Sequence, residues 1–147
     1  MIQVIQFEKF HMDLISPREY EQDMIEFMGI DRFNSMVDIY SLNSKAFTAI
    51  KDGQVLCCGG VFKMWDKVGE VWIFSSEAMN ENMFGMGRVI LNCFKTQFEE
   101  FDRVQAAVKK KFDKATRLAE FVGMQPEGIL RKFGPDGEDY VMYGRVK

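Results

Sequence analysis

The sequence predicts a mixed α/β domain of the α+β kind, and three observations carry that expectation. Segments with two-residue alternation of apolar and polar side chains exchange with segments of helical period along the whole chain. Lys51-Asp52-Gly53-Gln54 joins two apolar runs as a hairpin, because Asp-Gly supplies the positive φ such turns need. Hydrophobic residues make up 47% of the 147 residues, enough to fill the core of one domain and too many for a disordered chain.

Taken in order, Ile2–Phe7 alternates and predicts a first strand. Ser16-Pro17-Arg18-Glu19 is a helix start, with Ser as the N-cap, Pro in the first turn and Glu closing a capping box. That helix runs to about Met28 and stops at Gly29; a second follows from Ile30, with Phe33, Met36, Val37 and Tyr40 at helical spacing. Ala46–Ile50 and Val55–Trp65 are the hairpin strands, and Gly59-Gly60 predicts a bulge or a close backbone approach. Asp66-Lys67-Val68-Gly69 predicts a turn into Glu70–Glu77, a strand apolar on both faces and therefore central. Gly87–Glu100 follows as a helix with Val89, Ile90, Cys93, Phe94 and Phe98 in one stripe. Val104–Val108 predicts a buried strand, Asp113–Val122 a helix stopped by Gly123, and Gly128–Phe133 with Asp139–Val146 a hairpin across Gly134-Pro135-Asp136-Gly137. The predicted order is β-α-α-β-β-β-α-β-α-β-β, one domain over 1–147 with no repeat and no linker.

A net charge of −3 argues against a general nucleic-acid or membrane-surface binder. No apolar run reaches the ~18 residues of a membrane span, and no basic-then-apolar leader opens the chain, so a cytoplasmic setting is expected. Cys57, Cys58 and Cys93 show no paired spacing and read as reduced thiols; Cys57 and Cys58 should face opposite sides of a strand. With His11 as the single histidine, no metal site is expected.

The run Asn82-Met83-Phe84-Gly85-Met86-Gly87 lies between the apolar strand and the amphipathic helix. Two glycines turning the chain into a helix would leave its first amides free for an anion, with the helix dipole adding partial positive charge.

The element order and this loop resemble the GNAT acetyltransferase superfamily over roughly 46–147. The family's loop, Gln/Arg-x-x-Gly-x-Gly/Ala, is matched by Gly85 and Gly87, with Asn82 in the first place. Ala115, Leu118, Gly123 and Met124 stand at the spacing of the family's fourth-helix pattern, and "EGILRKFGPDGEDYVMYGRV" is similar to its closing strands. The resemblance implies a mostly antiparallel central sheet flanked by helices, with 46–147 binding coenzyme A and the helices of 1–45 shaping the acceptor side. It implies acetyl-CoA as cofactor, its arm along the fourth strand near Ser75 and Glu77 and its pyrophosphate on the amides of Met83 to Arg88, with the Arg88 side chain available to a phosphate. It implies acetyl transfer to a small-molecule or protein amine, and protomers that pair as homodimers. "VWIFSSEAM" also resembles a strand of GNAT-like podovirus internal virion proteins, which would place the chain in a phage virion or host cytoplasm.

Two departures bear on chemistry. Ala119 stands where relatives carry a helix-four tyrosine that protonates the thiolate, and Phe112 replaces an asparagine. Candidate proton carriers are therefore Glu70 and Glu77 on the fourth strand and Tyr143 or Tyr140 on the last. His11 has a suitable pKa but a remote place on the chain. Lys109-Lys110-Lys111, with Lys114 and Arg117, reads either as a solvated turn or as a phosphate-attracting patch. Glu19, Glu21, Asp23, Glu26, Asp31 and Asp38 would favour a cationic acceptor if they rim its site. The alternative to an enzyme is a GNAT-fold binding module without catalysis, to which Asn82, Phe112 and Ala119 point.

Overall fold

A computed structural model describes residues 1–15, 19–42 and 45–147, without the side chains of 19–21, 23 and 24. Its strands are β1 (Gln3–Gln6), β2 (Phe47–Lys51), β3 (Gln54–Trp65), β4 (Val68–Ser75), β5 (Arg103–Lys109), β6 (Gln125–Leu130) and β7 (Tyr140–Val146). Its α-helices are α1 (Glu19–Met28), α2 (Ile30–Tyr40), α3 (Met83–Phe98) and α4 (Asp113–Phe121). The strands form one seven-stranded sheet in the order β1-β2-β3-β4-β5-β7-β6. Every neighbouring pair is antiparallel except β4 and β5. The predicted order of strands and α-helices is thus observed, with two 3-10 helices, Lys9–Leu14 and Glu77–Asn82, that the sequence reading passed over. The capping box predicted at 16–19 rests on residues outside those described.

Local chemistry accounts for most boundaries. Asp52 (φ 51°) and Gly53 (φ 77°) are both left-handed, as a two-residue hairpin turn between right-twisted strands requires. The next turn is shorter than predicted. Asp66-Lys67 alone makes it, and Val68 and Gly69 already belong to β4. Gly69 is needed for space rather than for turning: a Cβ there would lie 2.4 Å from Val61 Cγ1. At Gly59-Gly60 the ladder with β4 runs through without a bulge, and the close approach is the correct alternative. A Cβ on Gly59 would stand 3.0 Å from the Phe47 ring, and one on Gly60 3.0 Å from Ala46.

The sheet separates two cores. Cys57 points into one and Cys58 into the other, both fully buried, as adjacent strand residues must. On the α3–α4 side, Ile90, Phe94 and Phe98 pack with Val104, Ala119 and Val122. On the α1–α2 side, Phe33 and Val37 pack on Cys58, Trp72 and Phe74. Tyr40 stacks on Trp72 with centroids 4.6 Å apart and planes 4° from parallel, which fixes the end of α2 on the sheet. One polar side chain is built into the α3 side: Gln97 Oε1 accepts the Val61 N–H at 3.2 Å. The closing strands pair from Leu130 opposite Tyr140, so β6 begins earlier than predicted and the connecting loop is longer. No helix among the described residues is long and apolar enough to cross a membrane.

Candidate active site

The parallel junction of β4 and β5 makes the site. Val68, Gly69 and Glu70 pair with Arg103, Val104 and Gln105, and no pair joins the two strands beyond them. From there β4 stays with β3 as far as Ser75 and β5 stays with β7 as far as Lys109. The sheet therefore opens into a wedge.

A cavity of about 420 Å³ fills that wedge. Its walls come from both sides of the sheet, including Val71 and Ile73 with Ala115 and Leu118 towards α3 and α4, and Tyr40 and Trp72 towards α2. Most of the wall is apolar. The polar exceptions include Glu70, Ser75 and Lys114. Lys114 donates from α4 to Asn80 Oδ1 at 3.1 Å, tying α4 to the 3-10 helix before α3.

Glu70 stands at the apex, in the last residue pair before the strands part. Burial pushes its carboxyl above the usual carboxylate range, because the charged form loses water there. Tyr40 responds to the same surroundings: burial and the Glu70 charge hold its phenol protonated well beyond neutral pH. A half-buried carboxylate of raised basicity beside an apolar slot can take a proton from a cation that enters the slot.

The residues read from the sequence divide. Glu70, Ser75 and Met83 line the cavity, as do Ala119 and Phe112, the two departures. Glu77 does not. It opens a 3-10 helix instead of ending β4 and is exposed, because the strand stops at Ser75. Tyr143 does not either. It points into the α3–α4 core and its hydroxyl lies 3.5 Å from Glu120 Oε1, whereas Tyr140, on the other face of β7, lines the cavity. His11 is buried elsewhere, with Nδ1 accepting the Glu8 N–H at 3.1 Å and 2.8 Å from Thr48 Oγ1.

The glycine run is also corrected. Neither Gly85 nor Gly87 has positive φ, and both lie inside α3, which begins at Met83. The 3-10 helix feeds α3 directly, and burial of Met86 and Ile90 outweighs the ~1 kcal/mol that each helical glycine costs. The amides of Gly87 and Arg88 are therefore spent within the helix, and only the first turn is left to face an anion. Asn82 holds this start in place: its Oδ1 accepts from Lys51 Nζ at 2.9 Å and its Nδ2 donates to the Ala78 carbonyl at 2.8 Å. Phe84 is fully exposed, Arg88 is exposed, and Phe121 lies across Gly87, 3.4 Å from where a Cβ would be.

The predicted basic patch is partly neutralised. Lys109 pairs with Asp136 at 2.6 Å and Lys111 with Glu138 at 3.2 Å, so the β6–β7 loop takes two of its charges. Among the described acidic side chains of the first 45 residues, Asp38 pairs with Lys9 and Asp31 lies beside a second cavity that Glu70 also lines. Tyr40 is the site residue the sequence reading missed. Its helical spacing marks it as core, and only its contact with β4 puts the phenol beside Glu70.

Solved structures match this mixed seven-stranded architecture over nearly the whole chain, and that match is the deciding observation. The chain has the fold of the GNAT acetyltransferases. Ard1 from Thermoplasma volcanium matches with a TM-score of 0.78 at 14% identity, over 99% of this chain and 97% of that one. A ribosomal-protein-alanine N-acetyltransferase from Brucella melitensis matches at 0.68 and 11% identity, over 99% of both chains. A GNAT acetyltransferase from Elizabethkingia anophelis, solved with acetyl-CoA bound, matches at 0.66 and 11% identity, over 99% and 98%. No protein-family model and no curated protein sequence matches the chain. At these identities the likeness is one of fold.

Proposed function

We propose that this protein is an acetyl-CoA-dependent N-acetyltransferase that moves an acetyl group to a primary amine by direct attack. The observation that carries the reading is Glu70 at the apex of the β4–β5 wedge. The residues present fit the acyl end of acetyl-CoA: an apolar slot runs along β4 beyond Glu70, where its pairing with β5 has ended. Backbone groups of 71–75 would hold the arm, the first turn of α3 would face the pyrophosphate, and Lys51 and Lys114 stand beside that turn. Bound there, acetyl-CoA would supply an activated thioester, whose C–S bond breaks as the amide C–N bond forms, the thiolate leaving as the thiol with the proton the amide nitrogen gives up.

The chain's own residues then carry the proton work. Glu70 takes a proton from the ammonium form of the acceptor, directly or through one water, and frees the nitrogen lone pair. The apolar walls exclude bulk water, which favours transfer to the amine over hydrolysis. Tyr40 keeps its proton at neutral pH, so it is not the base.

A second reading is a GNAT-fold binding module without catalysis, acting in a virion or on a host partner. Ala119 and Phe112 favour it, since both line the cavity and neither carries a proton.

Calorimetric titration with acetyl-CoA, with CoA and ATP as controls, tests the enzyme reading, followed by acetylation of an amine panel. The Gly85→Glu/Gly87→Glu double variant sharpens it. Both positions are helical and carboxylates suit a helix N-terminus, so the fold should hold while two negative charges repel a phosphate. Micromolar binding lost in the variant supports the enzyme. No binding at millimolar acetyl-CoA overturns it.

A further inference from the structure

We infer that the acceptor is a small, singly charged primary amine on an apolar body, selected by Tyr40 and Phe62 in a second cavity that meets the first at Glu70; the inference rests on the acetyl-transfer reading and deepens it. The second cavity, of about 470 Å³, lies between α2 and the β3–β4 pair. Tyr40, Met36 and Glu70 line both cavities, so the two meet at that carboxylate, on the α2 face of the sheet that Glu70 shares with Trp72 and Phe74. A thioester in the first cavity and an amine in the second would meet at that carboxylate.

The walls specify what the amine carries. The rings of Tyr40 and Phe62 face the space with centroids 6.2 Å apart and planes tilted by 57°. Trp72 stacks against one face of Tyr40 and positions the ring on the sheet. Two rings beside a carboxylate favour an ammonium through the negative faces of the rings. The charged side chains on the wall are Glu70, Asp31 and Arg32. Their sum is one negative charge, which one ammonium balances. A polyamine would bring its second ammonium towards Arg32. Ser35, Met36 and Ile39 complete the lining; Met36 and Ile39 offer apolar surface to the acceptor's body, and the Ser35 hydroxyl is the one neutral aliphatic polar group there for a peptide's backbone amides.

Phenethylamine is the probe, titrated into the protein without acetyl-CoA. Phenethyl alcohol, spermidine and a short peptide with a free N-terminus are the comparisons. Phenethylamine should bind most tightly of the four. Tyr40→Leu and Phe62→Leu should each weaken it roughly tenfold, while Tyr40→Phe, which keeps the ring, should stay within about twofold. Acetyl-CoA titrations of the same variants report whether the fold and the first cavity survive, and Phe62→Leu, at a half-buried position of β3, carries the test if Tyr40→Leu does not fold. Equal or tighter binding of the alcohol, spermidine or the peptide overturns the inference, as does wild-type affinity in the leucine variants. Amine binding without acetyl-CoA binding would instead remove the enzyme reading and leave the amine site standing.

Discussion

β4 has two edges, and they serve different ends. Along β3 it is laddered over eight residue pairs, from Val68 to Ser75, with Trp72 and Phe74 buried on one face. Along β5 it is laddered over three, and then backbone and side chains of both strands are given to a cavity. The first edge stabilises the domain through hydrogen bonds and close packing; the second forgoes both and leaves a slot with a carboxylate at its apex. A sheet can tolerate such an opening where strong ladders lie on either side, as β3–β4 and β5–β7 do here. The lesson is that the site is placed by where pairing stops, not by a loop that was added.

The contrast can be broken at the open edge first. Glu70→Gln should lower acetyl transfer by about 10²- to 10⁴-fold at neutral pH while the protein stays folded, measured as turnover at saturating amine. Restoring activity by raising the pH, so that the amine is already neutral, would mark Glu70 as the base. On the wall between slot and core, Phe94→Ala should cost about 3–5 kcal/mol in denaturant unfolding, because a buried ring is lost and the existing cavity grows. On the closed side of the junction, Gly69→Val should cost about 1–3 kcal/mol, since the new side chain must displace Val61 and the Phe101 ring. Gln97→Leu should cost about 0.5–1.5 kcal/mol by the same measurement, because it removes the buried hydrogen bond that the Val61 N–H donates to Gln97.

The smallest effect ties function to stability. The Glu70 carboxyl is raised on folding, so the folded state prefers it protonated. Stability from this group is therefore present at low pH and falls as pH rises through the unfolded value of about 4.3 towards the raised folded one. Glu70→Gln should leave stability at pH 4 nearly unchanged and raise it slightly at pH 7. A fall in stability at pH 7 would mean that the carboxylate is held by favourable partners and is not a desolvated base.

Much of the fold was legible along the chain because its signals are local. Asp52-Gly53, Gly29, Gly123 and Gly137 all take the positive φ that their places in the sequence imply. The alternation in β3 split Cys57 and Cys58 between two cores as read. The glycine run misled because glycine permits a turn without requiring one, and the context of Met86 and Ile90 made it helical. Glu77 and Tyr143 were misplaced by a strand end and a strand face, each a shift of a residue or two that period-two patterns resolve poorly.

By itself, the sequence determined the order of elements, their apolar faces, the turns with special backbone geometry and the presence of Glu70 near the start of β4. Only the tertiary structure decided that β4 and β5 run parallel and part after three pairs, that Tyr40 and Phe62 share a cavity with Glu70, and that Lys109 and Lys111 are neutralised by the closing loop. The physical reason is range. Dihedral preference and hydrophobic period act over a few residues and are written in the chain, whereas desolvation of a carboxylate and pairing of charges depend on groups tens of residues away that meet only when the sheet is assembled.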